Sequence, residues 1–174
     1  MLKNAERVMV IGCSGGGKTT LSMRLSDLLA LPYISMDREF FWLSGWQKRG
    51  KAEELSLIAR AVGRERWLMD GNGPSSFHLR LPRADLVIWV RMSRLVCVKG
   101  ALLRAITHLG RTRQEMAPGC KERIDFEFLR FIWNFERRSV PVVEQKLAEF
   151  GGHVPVFQVK SRDEMKQLLD LVAT

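Results

Sequence analysis

Two spacings of apolar residues alternate along the chain. Short continuous runs at Arg7–Ile11, Leu31–Met36, Arg66–Met69, Leu86–Val90 and His153–Val159 predict strands. Between them, apolar positions recur at helical spacing. Leu21, Leu25, Leu28 and Leu29 share one face of a first helix, and Leu55, Ile58, Ala59 and Val62 mark a second over about 51–64. Leu95, Val98, Leu102, Ile106 and Leu109 mark a third, over 93 to about 109. Asp125 is placed to cap a fourth, whose buried stripe would be Phe128, Leu129, Ile132 and Trp133. Pro141 breaks or restarts that helix, and Ser161 caps a C-terminal one running through Leu171. Strands alternating with helices predict an α/β fold, a parallel sheet covered on both faces through right-handed crossovers. Ligands in such folds sit beyond the carboxyl ends of the strands. Gly12, Asp37, Asp70 and Arg91 emerge at that edge.

The link between the first strand and the first helix reads Gly12-Cys13-Ser14-Gly15-Gly16-Gly17-Lys18-Thr19, a full match to G-x-x-x-x-G-K-[ST]. Its backbone N–H groups and the helix dipole cradle a polyphosphate. Lys18 is suited to the β- and γ-phosphates and Thr19 to Mg²⁺, with Thr20 continuing into the helix. ATP and Mg²⁺ are the expected cofactors. Asp70 ends an apolar strand and is either a second Mg²⁺ support or an Asp-Gly turn residue. Asp37 stands before the aromatic residues Phe40, Phe41, Trp42 and Trp46, where it could orient or deprotonate an acceptor; its structural alternative is a cap or turn acid. Residues 110–124 are polar and basic and read as a mobile loop, part of a lid over roughly 104–125. A bend at Gly110 would fold Arg104, Arg111 and Arg113 over the γ-phosphate, where planar guanidiniums grip phosphate and water is expelled.

The 174 residues predict a single domain, residues 1–174. No segment approaches the roughly 18 apolar residues of a membrane span, and the N-terminus lacks a signal peptide's apolar core. Cys13, Cys97 and Cys120 are odd in number and widely spaced, which suggests no disulfide framework and a cytoplasmic setting. The histidines are scattered without metal-site spacing. The formal charge of +9, from 28 basic and 19 acidic residues, favours anionic partners, nucleotides as well as nucleic acid. Between Arg94 and Arg138, ten Lys/Arg face five acids.

Taken in order, several segments carry a family resemblance. They are Gly12–Thr19, Asp37 through Gly45-Trp46, Trp67–Asn72, Leu79–Asp85, Gly110–Arg113, Met116–Cys120 and Phe128–Trp133. With these the chain resembles the adenylate-kinase-like P-loop kinases known as DNA topology modulation (FlaR-type) proteins. The resemblance implies a five-stranded parallel sheet, Mg-ATP and a nucleotide-kinase-like lid. Two departures stand out. Arg91 occupies a position where related kinases commonly carry an acid, and Gly73-Pro74 follows Asn72. The leading expectation is a kinase passing the γ-phosphoryl group of ATP to a nucleotide, nucleoside or similar small acceptor. Lys18, Asp37, Arg111 and Arg113 would be catalytic. A nucleotide-dependent DNA-binding regulator is the alternative, although no nucleic-acid motif supports it. Asp70–Gly73 fits D-x-x-G, but no guanine-reading motif follows, so a GTPase ranks last. Oligomeric state is open.

Overall fold

The structure, a computed structural model, describes residues 2–173. In chain order, β1 (Arg7–Gly12) leads through the glycine loop into α1 (Lys18–Leu29) and then β2 (Tyr33–Ser35). A small antiparallel hairpin, β3 (Trp42–Leu43) and β4 (Gln47–Lys48), precedes α2 (Lys51–Val62) and β5 (Trp67–Asp70). A short α3 (Phe77–Arg80) connects to β6 (Leu86–Val90). There follow α4 (Arg94–Thr107), α5 (Phe126–Arg138), α6 (Val140–Phe150), β7 (Val156–Val159) and α7 (Arg162–Ala173).

Five strands form one parallel sheet in the order β2-β5-β1-β6-β7. The three inner strands are buried almost without interruption, as a sheet covered on both faces requires. α1 packs against α7, while α3 packs against both α2 and α6, so two helical layers flank the sheet in keeping with right-handed crossovers. The predicted strands are all present: β6 has its predicted bounds, β1 gains Gly12, β5 is shifted by one residue, and β2 and β7 are shorter than predicted. Asp125 caps α5 by accepting the Phe128 N–H at 3.0 Å, and the Ser161 hydroxyl accepts from Glu164 N at the start of α7. Pro141 lies in the first turn of α6, where its missing N–H costs nothing.

The structure corrects several predicted faces. In α4 the buried residues are Cys97, Ala101 and Ala105, whereas Leu95, Ile106 and Leu109 are exposed. The reason is close approach. α4 lies on the glycine loop so tightly that a Cβ on Gly15 would fall 2.0 Å from the Cys97 carbonyl oxygen, and one on Gly100 would fall 2.2 Å from the Gly15 carbonyl oxygen. Only small residues fit that face. Trp133 is exposed with the Arg94 guanidinium over its ring, and Ile132 and Phe135 are buried instead. Ala59 and Leu28 are likewise exposed, while Glu54 on α2 and Ser22 and Ser26 on α1 are buried.

Residues 110–124 are docked rather than free. Met116, Ala117 and Cys120 form a second small core beneath Trp42 and Trp46. The Trp46 indole donates to the Lys121 carbonyl at 2.9 Å, and Ser35 Oγ donates to the Glu115 carbonyl at 2.8 Å. Among the described residues, no helix is long and apolar enough to cross a membrane.

Candidate active site

The glycine loop joins β1 to α1 at the carboxyl edge of the sheet, and α1 starts at Lys18, so its N-terminal N–H groups open into the loop. Gly12 has φ 137, and a Cβ there would sit 2.1 Å from the Val90 carbonyl oxygen. No other residue tolerates both conditions. The Asn72 side chain holds this point from the side. Its Oδ1 accepts the Gly12 N–H and its Nδ2 donates to the Gly12 carbonyl, each at 2.8 Å. Asn72 is in turn held from behind by Arg80, which is fully buried. Arg80 donates to the Gly71 carbonyl at 3.0 Å, the Gly73 carbonyl at 3.2 Å, the Asn72 carbonyl and Ser76 Oγ. Burial pulls the Arg80 pKa down and the charge of Glu54 opposes this. These carbonyls solvate its charge in place of water.

Thr19 and Asp70 are in contact. Thr19 Oγ1 donates to Asp70 Oδ2 at 2.7 Å, and the Tyr33 hydroxyl donates to the same oxygen at 3.1 Å. Burial, followed by the charge of Asp70 and this bond, raises the Tyr33 pKa, keeping it a donor. Asp70 Oδ1 is buried without a hydrogen-bond partner. A hydroxyl and a carboxylate with an unpaired buried oxygen form the hard-oxygen donor set that Mg²⁺ prefers, so these residues fit the ion.

Asp37 follows β2 on a single wide helical turn, Asp37–Phe41. It is half-buried and accepts the Trp42 indole N–H at 3.2 Å. Burial raises its pKa; Lys18, the Trp42 bond and Arg113 pull it down, Asp70 adds to the rise, and the net shift is upward. A carboxyl in this state suits proton transfer more than a plain turn acid. Lys18 thus stands close enough to Asp37 to act on its charge.

The three lid arginines separate. Arg113 Nε donates to Glu122 Oε1 at 2.6 Å and its Nη1 bonds Glu115. Burial opposes the charge on Arg113, but Glu115 and Glu122 outweigh it and its pKa rises. Arg104 Nε lies 3.8 Å from Glu122 Oε2, within ion-pair range but without a hydrogen bond. Burial and the charge of Arg113 lower its pKa. Arg111 remains exposed. The structure therefore brings Arg104 and Arg113 together through Glu122 and leaves Arg111 apart.

Ser14, Asp37, Arg104 and Arg113 line one cavity of about 300 Å³, which continues between Trp42 and Trp46 on one side and Phe128 on the other. Cys13 is buried and contacts Cys97, Gly16 is buried, and Thr20 is exposed. Gly17 abuts the Arg162 guanidinium at the start of α7. Asn72, Arg80, Glu122 and Arg162 are the site residues that motif reasoning misses. Of these only Asn72 had a signal, its place just past a strand aimed at the glycine loop.

No protein-family model matches the chain, and no curated protein matches it. Solved structures do. Shikimate kinase from Acinetobacter baumannii in complex with shikimate superposes with a TM-score of 0.59 at 16% identity, over 98% of this chain and 94% of that one. A putative kinase from Chloroflexus aurantiacus J-10-fl gives 0.57 at 20% identity over 96% of each chain. The fold is that of the P-loop kinases. Shikimate kinase from Aquifex aeolicus VF5 aligns likewise, with a TM-score of 0.52 at 14% identity over 95% of this chain and 92% of that one. At these identities the likeness extends to architecture, and the expected five-stranded parallel sheet agrees with it.

Proposed function

We propose that the chain transfers the γ-phosphoryl group of Mg-ATP to the hydroxyl of a small acceptor. One observation carries the reading: a single cavity touches both the phosphate loop, at Ser14, and a half-buried acid of raised pKa, Asp37. A phosphoryl donor held in the loop and an acceptor in the cavity would then meet beside that acid. Loop amides and Lys18 bind and orient the β- and γ-phosphates. Asp37 takes the acceptor hydroxyl's proton as the oxygen–phosphorus bond forms and the bond to the β-phosphate oxygen breaks, leaving ADP; the proton then passes to solvent. Thr19 and Asp70 would hold Mg²⁺, which when bound neutralises phosphate charge. Arg111, exposed on the lid, would have to move to reach the donor, while Arg113 organises the lid through its two carboxylates. The FlaR-type resemblance fits this reading, with a nucleoside or nucleotide as the first acceptors to try, in the cytoplasm.

The test is ADP release from Mg-ATP across a panel of nucleosides, nucleotides and hydroxylated metabolites beside an acceptor-free control. One acceptor class should stimulate turnover. Lys18→Ala should lower that turnover by about 10²-fold or more, the usual scale for a lost preorganised donor, with the fold intact by circular dichroism. Asp37→Ala should lose the acceptor-dependent part. Wild-type turnover in that variant would remove Asp37 from the mechanism, and a flat panel would end the kinase reading in favour of a nucleotide-switched binding protein.

A further inference from the structure

Charge around the acceptor cavity is closed on itself. Its walls carry three acids, Asp37, Glu122 and Asp125, and three arginines, Arg104, Arg113 and Arg123. Each arginine has a carboxylate of its own protein. Arg113 is held by Glu115 and Glu122, Arg104 lies beside Glu122, and Arg123 Nη2 is 3.7 Å from Asp125 Oδ2. The central pair is buried: the Arg113 and Glu122 side chains are 9% and 5% exposed. Resting on the kinase reading above, we propose that the acceptor is an uncharged, hydroxyl-bearing compound with a flat or apolar body, and that phosphorylated and carboxylated compounds are excluded.

The physical argument has three parts. A phosphate or carboxylate needs a guanidinium whose fork is open. Here Nε and Nη1 of Arg113 are held by two carboxylates tethered to the same lid, which compete at the high effective concentration of an intramolecular partner. An incoming anion would also bring its charge next to Glu122, Asp125 and Asp37 in a partly desolvated space, where like charges are strongly disfavoured. The remaining wall has the opposite preference. Trp42 and Trp46 stand edge to face at 5.4 Å, and Met116, Phe128 and Leu129 continue an apolar surface, a lining suited to a ring or other flat body. One polar atom lacks a partner: Arg104 Nε is buried with no hydrogen bond. A neutral carbonyl or hydroxyl oxygen satisfies it without disturbing Glu122, and Asp37 waits for the reacting hydroxyl.

The experiment reads the cavity directly and does not depend on turnover. With the phosphate loop saturated by Mg²⁺ and a non-hydrolysable ATP analogue, the indole N–H signals of Trp42 and Trp46 are followed by NMR. Inorganic phosphate, thymidine, thymidine monophosphate and shikimate are titrated in turn. The expected result is no shift with inorganic phosphate or shikimate, and no response to the monophosphate below ten times the concentration at which thymidine acts. In Glu122→Gln, which releases the two arginines, inorganic phosphate should now shift both signals. Glu115→Gln, which releases half of the Arg113 fork, should do so more weakly and serves if the first variant does not fold. Saturable shifts in the wild type with phosphate or shikimate, or with the monophosphate below ten times the thymidine concentration, would overturn the proposal, as would the absence of any response to thymidine. So would the absence of any phosphate response in both variants. Failure of the kinase reading shows separately, as a flat ADP panel.

Discussion

The contact between Asn72 and Gly12 can be probed by two substitutions, one that removes the side-chain amide and one that replaces it with a charged group of nearly equal size. Asn72→Ala removes both 2.8 Å hydrogen bonds to the Gly12 backbone. At about 1 kcal/mol net for each neutral hydrogen bond, the loss is about 2 kcal/mol, or roughly 30-fold in an equilibrium constant. Asn72→Asp keeps an acceptor for the Gly12 N–H but loses the donor, and it sets a carboxylate oxygen against the Gly12 carbonyl. It also adds a negative charge one residue from the phosphate cradle, which the alanine variant does not. Urea unfolding with and without Mg-ATP separates the consequences. Both variants should lose about 1–3 kcal/mol of stability. ATP affinity should fall about tenfold or more in Asn72→Ala and further in Asn72→Asp, with the extra loss in the latter shrinking as salt is raised. The reasoning is refuted if Asn72→Ala matches the wild type in both stability and ATP affinity, or if Asn72→Asp binds ATP better than Asn72→Ala.

Three other predictions follow from separate contacts. Because the Asp37 pKa is raised and its basic form is the working one, kcat/KM should rise with pH through a value above the ordinary carboxylate range near about 3.9. An acid limb at the ordinary value, or an unchanged limb in Asp37→Asn, would contradict the assignment. Asp85 accepts from Glu6 N, Arg7 N and the Arg7 guanidinium, tying the start of β1 to the turn before β6. Burial opposes its charge but these bonds outweigh it, and its pKa is depressed. Its contribution, about 1–3 kcal/mol, is therefore complete above the unfolded-state pKa and lost as pH falls through the folded one. The stability difference between wild type and Asp85→Asn in urea should vanish over that acid window. Gly15→Ala places a methyl 2.0 Å from the Cys97 carbonyl at φ 78, so it should push α4 off the loop and abolish ATP binding by calorimetry; retained binding would show that α4 yields freely.

Much of the donor side was legible in the sequence because it is local. The glycine loop, its strand and its helix are contiguous, and the strand-helix alternation predicts a parallel sheet without knowledge of any distant contact. Thr19 and Asp70 are far apart in sequence, yet both lie at strand or helix ends whose positions the parallel topology dictates. The misplaced helix faces share a different cause. Periodicity assigns the largest apolar side chains to the core, whereas α4 is held by a backbone approach that admits only Cys97, Gly100 and Ala101 beside Gly15. Steric exclusion of that kind leaves small residues as its trace, and small residues carry little weight in a hydrophobic pattern.

The acceptor side was hidden for a stronger reason. Its cavity is assembled from the glycine loop, the β3–β4 region, α4, the lid and α5, segments that lie far apart in sequence. Cys120 Sγ takes the Trp46 N–H, and the Trp46 indole reaches the Lys121 carbonyl, contacts made only once the lid has folded back over the hairpin. The same folding brings Glu122 between Arg104 and Arg113. A count of basic residues makes this segment a clamp for phosphate, whereas the structure pairs Arg113 with Glu115 and Glu122 and sets Arg104 beside Glu122. An arginine held by carboxylates of its own protein is rigid and has fewer donors left for an incoming anion. On the proposed reading, charge in the lid shapes the cavity, and selection of the acceptor would fall to the aromatic wall and the unpaired donor of Arg104.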